Sequence, residues 1–395
     1  MPKVNIRVRL DSYASFSSPL GVALTEIFIE CLQELLSEYS YYADCAGLSF
    51  KVELSKGGLL LRFSGKYEFG AFFLSSFILL FLFSLCEIFC VIIYLVGYQH
   101  KIGLLISRVM DEIVAMKSSS CPSDLFARIK EKQCHSYSND HLFSQPYYKC
   151  ILASASCLEE PRWTLIEKFN ALKPASYQDF TSFASFFLRQ VKIEVLIHGN
   201  YTQEDSLLLI KSIVTKLDCA PLPLSQEPIR RQVLLERGVN YLHRLDCKEF
   251  NPEELNSAIE SHYLIGNEMG CSDINEEKEK AYFHLEALLH LTAHLVSEPC
   301  FDILRSKEQL GYIVNASKAK VGSILTLRFI IQSNRQDPAY LDNRVELFIA
   351  SYRLLLVALT EEEFSTNIQA VVEHLLERPK NLNQVVVLSD YSYLL

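Results

Sequence analysis

The stretch Ser297–Val314, SEPCFDILRSKEQLGYIV, decides how the second half of this chain is read. Its neighbours set the pattern. Apolar spacing predicts a long helix over Glu276–Val296 before it, and alternation predicts a strand pair, Gly311–Ala319 and Ile324–Ser333, at its end. Two helices are expected beyond, Leu341–Leu359 and Glu361–Leu376, and two strands earlier, Arg231–Leu235 and Ser257–Leu264. Strands, a long helix, a strand pair and more helices make an antiparallel sheet carrying helices on one face. That is an α+β layout, not a parallel βαβ array. On residues alone, Arg305 would cap a helix and Tyr312 would pack in a strand.

The first half repeats the order. Val4–Leu10 alternates with a period of two, and Ser17-Ser18-Pro19 introduces a helix running to about Tyr39. Leu48–Leu54 and Leu59–Ser64 form a hairpin around Lys56-Gly57-Gly58. Helical spacing returns at Ile102–Met116, after Pro122 as far as about His135, at Trp163–Leu172 and at Asp179–Arg189. Val191–His198 is a strand, and Gln203–Lys216 the helix after it. The proline-rich stretch from Pro221 to Pro228 is the linker. The expected division is therefore 1–220, a linker at 221–229, a second domain at 230–384 and a tail at 385–395. The two domains are expected to be structurally related, although no strong sequence repeat joins them.

The chain has 395 residues, 38 Lys+Arg and 47 Asp+Glu, for a net charge of −9. That acidity speaks against phosphate neutralisation and so against nucleic-acid binding. With 49% apolar and 22% charged residues, the chain is not disordered throughout. Its mean hydropathy is nonetheless slightly positive. The source is residues 69–96, FGAFFLSSFILLFLFSLCEIFCVIIYLV, whose one charge is Glu87. This length and composition would span a bilayer. Its place, far from the N-terminus and without a small-residue cleavage site, excludes a signal peptide. The twelve cysteines contain no C-x-x-C pair, so reduced thiols in a cytosol-like compartment are expected rather than a disulfide framework.

One motif lures. His290-Leu291-Thr292-Ala293-His294 stacks two imidazoles on one helix face, a spacing that suits zinc. A peptidase also needs a carboxylate to act as general base. Position 291 is Leu and position 293 is Ala, so neither H-E-x-x-H nor H-x-x-E-H is formed. Together with His284, these histidines read as a polar helix face. The chain has no G-x-S-x-G, no Walker-type loop and no G-x-G-x-x-G, while Glu361-Glu362-Glu363 suit a helix N-terminus.

SEPCFDILRSKEQLGYIV resembles the fourth domain of the insulin-degrading-enzyme-like zinc metallopeptidases, the pitrilysin (M16) family. LRFIIQSN (327–334), YLDNRVELFI (340–349) and LTEEEF (359–364) continue the likeness. SEYSYYADCAGLSF (37–50) and VLIHGN (195–200) resemble the third domain. The resemblance implies a clamshell of four α+β domains whose N-terminal half holds zinc on H-x-x-E-H and a downstream Glu. This chain matches the C-terminal half, with the third domain entered part-way and the fourth incomplete. It implies no cofactor on this chain, peptide substrates, an N-terminal catalytic half as partner, and a cytosolic or peroxisomal setting. It also implies that Arg305 and Tyr312 reach toward the scissile bond and stabilise the oxyanion. A regulatory half-enzyme and a single-pass membrane protein anchored by 69–96 are the alternative readings. An incomplete fourth domain would expose apolar surface and make the chain poorly soluble alone.

The resemblance also isolates residues 66–97. Removing them joins FSG to YQH and restores the family's spacing between strand and helix. Gly65-Lys66 can be encoded GGTAAG, which contains a splice donor, and Val96-Gly97 can be encoded GTAGGT, which contains an acceptor. The block holds 24 apolar residues and 7 of the chain's 24 Phe, as a translated thymine-rich intron would. A retained intron is the expectation here. The divergent tail at 385–395 invites the same reading.

Overall fold

The computed structural model describes residues 4–55, 57–65, 98–118, 120–229, 231–233, 235–246, 251–267, 276–321 and 324–380. The apolar run and block 66–97, and the tail 385–395, lie outside the described residues. Among the described residues, no helix is long and apolar enough to cross a membrane.

The chain divides into two compact units, the first from residues up to 135 and 167–229, the second from 136–166 and 230–378. In the first unit, β1 (Val4–Asp11) is central because Val4, Ile6, Val8 and Leu10 are all buried on one side. It pairs antiparallel with β3 (Gly58–Gly65) and with β5 (Gln190–Gly199), and β2 (Leu48–Leu54) adds to β3. A short parallel pair with β6 (Ala220–Pro221) completes the order β2-β3-β1-β5-β6. β4 (Glu159–Glu160) and β7 (Arg231–Gln232) form a two-stranded pair in the second unit. The expected strand Arg231–Leu235 is thus reduced, among the described residues, to two.

Helix α1 (Pro19–Leu35) starts as its sequence directs: Ser18 accepts from the Gly21 amide at 3.0 Å, with Pro19 in the first turn. It does not reach Tyr39 unbroken. Leu36, fully buried, ends it, and α2 (Ser37–Cys45) begins anew. Helix α3 (Tyr98–Lys117) buries Ile102, Leu105, Ile106, Val109, Met110, Ile113 and Met116, a stripe at the helical repeat. Helix α4 (Ser123–Phe143) runs eight residues past His135. Helix α5 (Pro146–Leu158) was not expected. It has no side-chain cap and buries only its end residues, Pro146 and Leu158, so its sequence carries no stripe. Helices α6 (Leu165–Leu172), α7 (Tyr177–Phe187) and α8 (Gln203–Leu217) complete the first unit.

The second unit has the antiparallel order β8-β10-β9, from β8 (Ser257–Asn267), β9 (Ile313–Val321) and β10 (Ile324–Ser333). Helix α9 (Glu276–Cys300) and α10 (Pro338–Val357) supply Val296, Cys300, Leu341, Val345 and Phe348 to a core shared with Phe329 and Ile331 of β10. Helix α5 lies along β8, where Ser154 Oγ donates to Glu260 Oε2 at 2.5 Å. His262 Nε2 is 3.2 Å from the other Glu260 oxygen and Arg328 is 3.6 Å from it. Burial pushes the Glu260 carboxyl upward, but the hydrogen bonds from His262 and Ser154 outweigh it and hold it below the usual range. Helix α11 (Glu361–Leu375) has a capping box between Thr360 and Glu363 and no buried residue.

Candidate functional site

The site is built on the continuation of α9. Leu289, Ala293, Val296, Cys300 and Leu304 form one buried stripe, which ties α9 and the turns after it to the sheet. Pro299 lies inside α9 and has no amide to donate, and the next seven residues, Phe301–Lys307, wind as a π-helix. In this wider turn Arg305 comes back over Phe301, its Cζ 4.5 Å from the ring centroid. Tyr312 also meets it, with Cζ 4.8 Å from its ring centroid. The guanidinium thus contacts two aromatic rings at once, which suits its flat, weakly hydrated cation.

What brings Tyr312 there is the way the helix ends. Leu310 donates its amide to the Leu304 carbonyl at 3.0 Å and Glu308 to that of Ile303 at 2.9 Å, closing the last turn. Gln309 takes the left-handed conformation between them, with φ 54°. The Glu308 carboxylate is gripped by Arg344 of α10, Nε at 2.8 Å and a terminal nitrogen at 2.5 Å, and Leu310 is buried. Gly311 then runs so close to β10 that a Cβ would lie 1.8 Å from the Gln332 oxygen. The next residue is Tyr312, 84% exposed, immediately before β9.

Arg305 and Tyr312, singled out in sequence only by resemblance, are therefore adjacent in space. Arg305 lies in the last turn of the π-helix with its guanidinium against the two rings, and Tyr312 stands exposed just outside the strand. No carboxylate among the described residues pairs with Arg305. Phe301 is the member of the cluster that sequence reasoning missed. Its spacing of four from Arg305 was the available signal, unread because α9 was expected to stop at Val296. A stacked guanidinium keeps its N–H edge free to bind a carbonyl oxygen or oxyanion, and a phenol beside it supplies a second donor.

The histidines do different work. His290 Nε2 accepts from the Lys318 ammonium of β9, while His284 and His294 are exposed. Burial, then Lys318, lowers the His290 pKa below its ordinary 6.5. An imidazole facing an ammonium is a poor ligand for a cation, and no group of three or more metal-ligating side chains occurs among the described residues. Because the folded state disfavours protonating His290, the unfolded state binds the proton more readily below about pH 6.5. The stability His290 contributes is complete above that pH and is lost as the pH falls below it. A His290→Leu chain should accordingly show a flatter dependence of its urea midpoint between pH 7 and 5 than the parent. An unchanged slope would mean another group sets it.

Two family models match the chain, together over more than half of it. The middle or third domain of peptidase M16 matches residues 1–69 and 88–171, and the C-terminal lobe domain 4 of PQQ synthase PqqF-like proteins matches 291–387. Residues 70–87 fall between the two matched parts of the first. Insulin-degrading enzyme-like 1, peroxisomal, of Arabidopsis thaliana is 28% identical over 97% of this chain. This chain spans 35% of that protein's length. In solved structures, pitrilysin superposes with a TM-score of 0.73 at 17% identity, over 98% of this chain and 35% of that one. A peptidase M16 inactive domain from Pseudomonas fluorescens does so with a TM-score of 0.56 at 10% identity, over 99% of this chain and 82% of that one. These low identities speak to the fold alone.

Proposed function

The chain belongs to the peptidase M16 family, whose third and fourth domains it carries, and on that premise we propose that it is the non-catalytic part of a zinc metalloendopeptidase. Its role is to close over a bound peptide and to present Arg305 and Tyr312 to the backbone being cleaved. The arrangement that supports this is the guanidinium set against both Phe301 and Tyr312, with no carboxylate partner among the described residues and Tyr312 exposed. The rings orient Arg305 before any substrate arrives, and preorganised donors lower the barrier to a tetrahedral oxyanion without reorganising during the reaction. Zinc and the general base are supplied by separate N-terminal domains bearing H-x-x-E-H. A cytosolic or peroxisomal setting goes with this reading, the second suggested by the peroxisomal relative.

The test is complementation with a quenched fluorescent peptide. The chain alone should leave the peptide intact, with or without chelator. Mixed with the zinc-bearing half of a family member, it should accelerate chelator-sensitive cleavage. Cleavage by the chain alone would overturn the proposal. Peptide binding that depends on Tyr312 but adds nothing to a catalytic half would instead favour a regulatory half-enzyme.

Residues 66–97 are, on the same reading, intervening sequence joined by translation to two parts of one domain. Strand β3 ends at Gly65 and helix α3 starts at Tyr98, so the block falls between two described elements of a single unit. Protein digests from the source tissue should contain the junction peptide FSG-YQH. Finding peptides of the apolar run alone, in abundant protein that resists carbonate extraction, would establish a membrane anchor instead.

A further inference from the structure

Arg305 has an acid three positions away on either side, Asp302 before it and Glu308 after it. Helical residues three apart are neighbours, and a carboxylate beside a guanidinium ordinarily pairs with it. Neither acid does so here. Asp302 pairs with Lys307 at 2.7 Å, and Glu308 is held by Arg344 of α10 at 2.8 and 2.5 Å. Each carboxylate next to the site thus faces a cation other than Arg305.

The two pairs differ in strength. The side chains of Lys307 and Asp302 are 68% and 52% exposed, and a pair so exposed holds weakly. Those of Arg344 and Glu308 are 27% and 24% exposed, and the guanidinium fork meets both carboxylate oxygens. The fork has a fixed base, because Leu341, Val345 and Phe348 of the same helix are buried in the core. The turn that carries Tyr312 has closures of its own: the Glu308 and Leu310 amides bond backbone carbonyls, and Leu310 is buried.

We propose that Arg344 is a positioning residue for the site: by occupying the Glu308 carboxylate it keeps that acid off Arg305, whose N–H edge stays available to a peptide. The inference rests on Arg305 being the donor to the backbone under cleavage. A half-buried, two-pronged pair is the better partner for Glu308, so Arg305 is left to its rings. Take Arg344 away and Glu308 stands half-buried with no cation from α10. Arg305, three residues back along the helix, then supplies one. Its guanidinium turns from Phe301 and Tyr312 to the carboxylate, and its N–H groups are engaged there instead of on substrate. Arg344 therefore acts on the reaction through Glu308 and Arg305, without touching the peptide itself.

Arg344→Gln keeps the side chain's reach but removes its charge. In the complemented enzyme its kcat should fall about fivefold with KM little changed, the scale of one partly exposed ion pair. Adding Glu308→Gln should bring kcat back to within about twofold of the parent, because no carboxylate is left to capture Arg305. A pair that merely braced the turn predicts the opposite, since removing its second member cannot rebuild a brace. A double variant as slow as Arg344→Gln overturns the proposal. The second readout needs no catalytic half: phenylglyoxal labelling of Arg305 in the full chain, mapped by mass spectrometry, should slow in Arg344→Gln and recover in the double variant. If Arg344→Gln does not fold, Arg344→Lys, which grips one oxygen in place of two, should move both readouts the same way by about twofold. Should Arg305→Ala leave cleavage unchanged while the labelling follows this pattern, the catalytic role fails and the pairing stands. Should Arg305→Ala slow cleavage while Arg344→Gln alters neither rate nor labelling, the pairing fails and the catalytic role stands.

Discussion

Gly311→Ala should unfold or severely loosen the second unit, at a cost of at least about 3 kcal/mol. The added methyl would sit 1.8 Å from the Gln332 oxygen and 2.8 Å from its carbonyl carbon, both backbone atoms of β10. No rotamer change can relieve that overlap. The strand β9 must move off β10, and with it goes the core of Val314, Phe329 and Phe348. In urea the midpoint of the second unit should fall by roughly 1 M or more. Gly103→Ala is the matching control, because nothing lies within 4 Å of a Cβ there and the residue is inside α3. That substitution should stabilise the first unit by about 0.5–1 kcal/mol, as alanine replaces glycine in a helix. A Gly311→Ala chain as stable as the parent would mean that the crossing of Gly311 over β10 is not rigid.

The second large effect concerns catalysis in the complemented enzyme. Tyr312→Phe removes one hydroxyl and leaves the ring over Arg305, so it isolates the donor from the stacking. If that hydroxyl meets the oxyanion, kcat should fall by about 10²–10³ with KM little changed. Arg305→Ala should cost as much, and Arg305→Lys should not restore it, since an ammonium lacks the flat face and the forked edge. Phe301→Leu keeps both donors and should reduce the rate by only about fivefold, the worth of one exposed cation–π contact. An unchanged kcat for Tyr312→Phe would remove the hydroxyl from the chemistry and leave the ring as a packing element.

Where periodicity was strong, the sequence and the fold agree closely. β1, the β2–β3 hairpin, α3, α8 and β10 were legible because apolar residues recur in each at strand or helix spacing or run together, as they do in β10. Helix α5 was not, since it buries only its ends and holds its place through Ser154 and Glu260, partners 106 positions apart. The extension of α9 was hidden by Pro299, which usually ends a helix but here opens it into a wider turn. The pairing of Arg305 with Tyr312 is a local matter of seven residues. It depends nevertheless on Gln309 being left-handed and on Gly311 clearing β10, neither of which composition or spacing announces. Resemblance supplied those two residues; the geometry added Phe301, Glu308 and Arg344.

The manner in which Arg305 is held carries a consequence for its charge. A carboxylate partner would have neutralised the cation, and its grip would have weakened in strong salt. Phe301 and Tyr312 instead hold it against their rings, which bring no counter-charge of their own. The cation therefore stands uncancelled on a chain that is acidic as a whole, a fixed positive point that draws an electron-rich oxygen toward the end of the helix.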